Sequence, residues 1–85
     1  MSILSLDEWR LRRARGVVES YARGVKKKAS DINWVIGVLK GYFGVSKEEA
    51  LGIIKSLEND KSFILTEDRL KRLEELKKRI ESTEW

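Results

Sequence analysis

The chain has 85 residues, 38% of them charged, with a net charge of +4 and neither cysteine nor histidine. Disulfide staples and thiolate or imidazole metal sites are excluded, and the commonest general base is missing. No apolar run approaches the roughly 18–20 residues of a membrane span, and "MSILSLDEW" lacks the charged and apolar regions of a signal peptide. A cytoplasmic protein is expected. So short a chain makes one helical domain, residues 1–85, that buries about 60% of its unfolded surface. Gln and Pro are absent while Glu, Lys and Arg abound, which is the hyperthermophile tendency. The charge is uneven: residues 1–43 carry nine basic and four acidic side chains, residues 44–85 nine and ten. A basic N-terminal half suggests a polyanion partner.

A first helix is expected from Ser5 to about Lys28. Ser5 and Glu8 have capping-box spacing, and Leu11, Ala14, Val18, Tyr21 or Ala22, and Val25 recur at three- and four-residue steps. Trp9 and Val17 widen that stripe. Gly16 and Gly24 each cost the helix about 1 kcal/mol relative to Ala and point to close helix packing. Ser30 or Asp31 caps a second helix, with Ile32, Val35, Ile36, Leu39 and Phe43 on its buried face. Trp34, Val38 and Tyr42 form a second apolar flank, which predicts this helix as the centre of the domain. Gly44 ends it in the left-handed C′ position.

The third helix follows at once. Ser46 and Glu49 form a capping box, Val45 and Ala50 fit a hydrophobic staple, and Ala50, Ile53, Ile54 and Leu57 face inward. Asn59-Asp60 is a turn, and Phe63-Ile64-Leu65 reads as a short strand. Thr66 caps a fourth helix with a seam of Leu70, Leu73, Leu76 and Ile80. Four i,i+4 pairs, Glu67–Lys71, Asp68–Arg72, Glu74–Lys78 and Glu75–Arg79, lace its outer surface. Leu39, Phe43, Ile53, Ile54, Leu57 and Leu73 are expected to be buried together.

Helix, Gly-Val-Ser turn and helix is the helix-turn-helix pattern, and a strand after it suggests the winged variant. Residues 32–80 resemble the small archaeal-type winged helix-turn-helix (MarR-like) DNA-binding proteins. The resemblance rests on Gly44-Val45-Ser46, Leu57, Asn59-Asp60-Lys61, Phe63-Ile64-Leu65 and "LTEDRLKRLEELKK". It implies a mainly α, four-helix domain with a helix-turn-helix and one short strand, a degenerate winged helix, and a role in transcription regulation. Lys40, Gly52 and the missing wing hairpin depart from the pattern. "GVSKEEA" also looks like part of the ubiquitin-associated three-helix modules, which bind protein.

The candidate nucleic-acid-binding residues are the basic side chains of helix 1, Arg10, Arg12, Arg13, Arg15, Arg23, Lys26, Lys27 and Lys28, with Lys47 and Lys55 on helix 3. A charge run is usually a solvated helix face. Eight cations on one helix, opposed between residues 9 and 30 by Glu19 alone, favour phosphate contact. The outward positions of helix 3 (Lys47, Glu48, Leu51, Lys55 and Ser56) lack Arg, Asn and Gln, the strong base readers. Trp9 and Trp34 can stack on bases, although aromatics at helical spacing are more often core. Trp85 is read as either a disordered end or a dimer anchor.

Glu48-Glu49, Glu67-Asp68 and Glu74-Glu75 are carboxylate pairs that helix starts and i,i+4 pairing explain. Without a phosphate loop, ligand spacing or nucleophile motif, neither catalysis, a cofactor nor a metal is expected. The expected function is nucleic-acid binding, DNA favoured, through phosphate contacts from residues 5–28. The alternative is a protein-interaction adaptor or small subunit of a larger complex. A homodimer through helix 4 or helix 1, or a larger protein partner, would supply further buried area; no membrane partner is expected.

Overall fold

Capping residues set most of the helix boundaries. The computed structural model describes residues 6–24 and 31–85, with Leu6 described in its backbone alone. Among these, α1 spans Leu6–Arg23, α2 Ile32–Gly37, α3 Lys47–Glu58 and α4 Glu67–Ser82, and a π-helical turn, Val38–Tyr42, prolongs α2. The architecture is mainly α. The Asp31 carboxylate accepts the Asn33 N–H at 3.0 Å and caps α2. The Ser46 hydroxyl accepts the Glu49 N–H at 3.0 Å, while the Glu49 carboxylate accepts the Ser46 N–H at 2.9 Å, completing the capping box of α3. Thr66 accepts the Arg69 N–H and starts α4. Gly44, at φ +60°, reverses the chain after the π-helical turn, and the Val45 N–H closes on the Leu39 carbonyl at 2.9 Å.

One boundary and one element differ from expectation. The run of α1 towards Lys28 ends instead at Arg23, because Gly24 adopts φ +66° and turns its N–H back to the Ser20 and Tyr21 carbonyls. Ser5, Val25, Lys26, Lys27, Lys28 and Ser30 lie outside the described residues. Phe63-Ile64-Leu65 forms no strand, and none occurs among the described residues. A strand needs a partner edge for its backbone groups, and none is offered here. Asp60 organises this linker instead. Its carboxylate accepts the Ser62 N–H at 2.9 Å and the Ser62 hydroxyl at 2.7 Å, its carbonyl accepts the Phe63 N–H at 3.1 Å, and Phe63 is buried.

One core cluster joins all the helices. Ala14, Val18, Tyr21 and Ala22 enter from α1, Val35, Ile36 and Leu39 from α2 and its extension, and Ala50, Ile53, Ile54 and Leu57 from α3. Leu73, Leu76 and Ile80 of α4 are fully buried within the same chain, so that seam is core; Leu70 sits at its exposed end. Of the six residues expected to be buried together, only Phe43 is partly exposed.

The central helix is α1, not α2. It packs on α2, α3 and α4, whereas α3 packs chiefly on α4 and α1. The small side chains Ala14, Val18 and Ala22 let neighbours approach α1 closely. The second flank expected to bury α2 is largely outside the core: Tyr42 is 81% exposed and Trp34 40%. No helix among the described residues is long and apolar enough to cross a membrane.

Candidate nucleic-acid interface

The basic residues of α1 divide by the direction in which they point. Arg10 turns inward over the α2–α3 turn. Its guanidinium donates to the Phe43 carbonyl at 3.0 Å, the Gly44 carbonyl at 2.9 Å and the Glu49 carboxylate at 3.2 Å. Arg15 is ion-paired to Asp60 in the α3–α4 linker, and its Nε is buried with no hydrogen-bond partner. Arg23 pairs with Glu19 at 2.6 Å and lies over the Phe63 ring, which Arg69 also covers. These three cations are partly or wholly engaged in holding the fold.

Arg12 and Arg13 remain. Both are exposed and neither has an ion-pair partner among the described residues. Arg13 stacks over the Trp9 ring at 5.4 Å, and Trp9 is itself 51% exposed rather than core. Arg12 borders two grooves. One, of about 370 Å³, runs between α1 and α3 and includes Glu49, Gly52 and Ser56. The other, of about 320 Å³, runs between α1 and α2 and includes Arg13, Gly16, Val17, Trp34 and Phe43. Tyr42, next to Phe43 in the chain, meets its ring edge-on, with ring centroids 4.9 Å apart.

The two cations of α3 also part company. Lys47, in the first turn, donates to the Glu81 carbonyl at 3.0 Å and the Thr83 carbonyl at 3.2 Å, at the end of α4. Beside it Lys40 donates to the Glu84 carbonyl at 3.0 Å, and the Trp85 indole N–H to the Val45 carbonyl at 2.7 Å. Residues 83–85 therefore lie across the start of α3. Trp85 is not a disordered end: it packs partly buried on the core. Lys55 is exposed beside Glu58 and Lys77, in a hollow between α3 and α4. Lys26, Lys27 and Lys28 lie outside the described residues.

None of the four i,i+4 pairs expected along α4 closes as an ion pair. Two of its arginines reach other helices instead. Arg72 donates to the Ala22 carbonyl at 2.9 Å, and Arg79 to the Asn33 side-chain oxygen at 2.6 Å. Sequence reasoning missed these ties because their acceptors are carbonyl and amide oxygens on other helices.

Among the described residues, three titrating groups depart from their ordinary ranges. The Ser46 N–H, aided by Arg10, holds the Glu49 carboxyl below the usual range against the cost of partial burial. The Ser62 hydroxyl and N–H, with Arg15, do the same for Asp60. Burial pushes the Tyr21 hydroxyl up, with Glu75 adding to the rise and Arg72 opposing it. All three are explained by folding contacts. No family model matches the chain, and no curated protein or solved structure matches it either.

Proposed function

We propose that the chain is a small nucleic-acid-binding protein whose affinity comes mainly from phosphate contacts made by α1. The observation that carries this reading is the pair Arg12 and Arg13: exposed, adjacent, and without carboxylate partners among the described residues. A guanidinium in this state offers its forked donors to a phosphate without first breaking an ion pair. Such a protein would act in the cytoplasm as a DNA-associated factor or transcriptional regulator. In this reading α2, the turn at residues 43–46 and α3 correspond to a helix-turn-helix without its wing. Its α3 would contribute little base reading. Readers of this kind use the first residues of the recognition helix, and here Lys47 is tied to the end of α4.

Binding to labelled DNA, measured between low and moderate salt, tests the proposal. Affinity should fall steeply with salt. The double variant Arg12→Ala, Arg13→Ala should weaken binding alike for unrelated sequences and flatten the salt slope by up to about 0.9 per lost duplex contact. Lys55→Ala should do much less. Absence of binding to any nucleic acid at low salt overturns the reading. Arg15 is left out of the variant because its loss would also break the Asp60 tie.

A second reading, a protein-interaction subunit, is favoured by a different observation. Tyr42 and Ile64 are large apolar side chains left 81% and 71% exposed. Recovery of a stoichiometric protein partner without nucleic acid, from the native host, would support it over the first.

A further inference from the structure

We propose that the groove between α1 and α2 binds unpaired nucleobases, so that the preferred ligand is single-stranded nucleic acid rather than a duplex. This rests on the nucleic-acid reading above and names the ligand class for the same face.

Three observations converge on the groove. The first is charge. The α1–α3 groove contains Glu49, the hollow between α3 and α4 contains Glu58, and a hollow between Ile32 and α4 contains Glu75. The α1–α2 groove contains Arg12 and Arg13 and no carboxylate. Each of those three also carries two cations, but the α1–α2 groove presents its pair with no carboxylate among its lining residues. The second is its walls. Trp34 and Phe43 line it, and Tyr42 adjoins Phe43. Aromatic faces beside cations are what unpaired bases need, because stacking is open to every base and phosphate contact fixes the backbone. A paired base in a duplex keeps its face inside the stack and cannot use these rings.

The third is the floor. Gly16 lies in the middle of α1, where glycine is unfavourable, and a Cβ added there would meet nothing within 4 Å. Helix packing therefore does not require this glycine. Gly16 lines the groove with Arg12, Arg13 and Trp34, and its bare backbone leaves open the space a side chain would take as the groove's floor.

The test is fluorescence anisotropy with a labelled thymidine oligonucleotide of about 12 nucleotides, within the range of small single-strand sites, and a duplex of equal length. Wild type should bind the single strand more tightly. Trp34→Ala should weaken single-strand binding about tenfold, Trp34→Phe less, and leave duplex binding nearly unchanged. Gly16→Leu, which fills the floor without altering charge and suits a helix, should also weaken the single strand selectively. Circular dichroism confirms that each variant folds, and Gly16→Leu keeps the test decisive if Trp34→Ala does not. If the duplex binds more tightly, or if both folded variants bind the single strand like wild type, this inference is overturned while the nucleic-acid reading stands. If neither nucleic acid binds at low salt, both fall. Binding of an acidic peptide, lost in Trp34→Ala and unaccompanied by any DNA binding, would assign the groove to a protein ligand and overturn both.

Discussion

Arg10 and Arg12 stand two residues apart on α1, and only their surroundings distinguish them. Arg10 ends on two carbonyls and the Glu49 carboxylate, whereas Arg12 ends in solvent at the lip of two grooves. A run of arginines in a sequence shows where charge is, not which guanidinium has an acceptor waiting for it. Of the seven candidate cations among the described residues, this leaves Arg12 and Arg13 without an ion-pair partner, with Lys55 apart. Hydrogen bonds from Ser46 to Glu49 and from Ser62 to Asp60, with Arg10 and Arg15 beside them, give the fold a pH dependence. The lowered Glu49 and Asp60 carboxyls contribute stability that is complete above the ordinary carboxylate range and is lost as pH falls through their lower folded values. Thermal melting should therefore be flat from neutral pH to about pH 5 and decline below about pH 4. Glu49→Gln can keep the capping box but not the charge, so its melting temperature should decline less over that acid range. An equally steep decline in this variant would show that Glu49 is not the responsible group.

Among the elements, the glycines separate local preference from tertiary demand. Gly24 sits at φ +66°, and a Cβ there would come within 3.0 Å of the Arg72 guanidinium. Gly24→Ala should destabilise the fold by about 1–2 kcal/mol or more. Gly52 lies inside α3 with open space where a side chain would stand, so Gly52→Ala should stabilise by about 0.5–1 kcal/mol. Denaturant midpoints of the two variants should move in opposite directions, and movement in the same direction would refute this division. The caps at Ser46 and Thr66, the narrowing of the α2 cap to Ser30 or Asp31, and the reversal at Gly44 were legible in the sequence because each depends on a few neighbouring residues. The identity of the central helix was not. Trp34 and Tyr42 look more apolar than Ala14 and Ala22, yet close packing favours the small residues and leaves the large ones outside. The missing strand has a similar origin: a short apolar run specifies burial of Phe63, but only a partner edge would make it a strand.

At the scale of the molecule, the turn at residues 43–46 is where the structure closes. Arg10 holds its carbonyls from one side, while Lys40, Lys47 and Trp85 bind residues 83–85 to it and its flanks from the other. The paired residues stand 33 to 44 positions apart in the chain. Most other contacts of a helical domain are local and form early, whereas distant closures come at the cost of loop entropy and tend to form late. The closure should therefore act on the lifetime of the folded state rather than on the speed of reaching it. Trp85→Ala, if it removes about 1–2 kcal/mol, should raise the unfolding rate about 5–30-fold and leave the folding rate nearly unchanged. Stopped-flow measurements across denaturant would show one limb displaced and the other in place. A slowed folding limb would mean that residues 83–85 join the nucleus. With the closure late, the chain would behave like a clasped ring: quick to assemble, and slow to open for as long as the clasp holds.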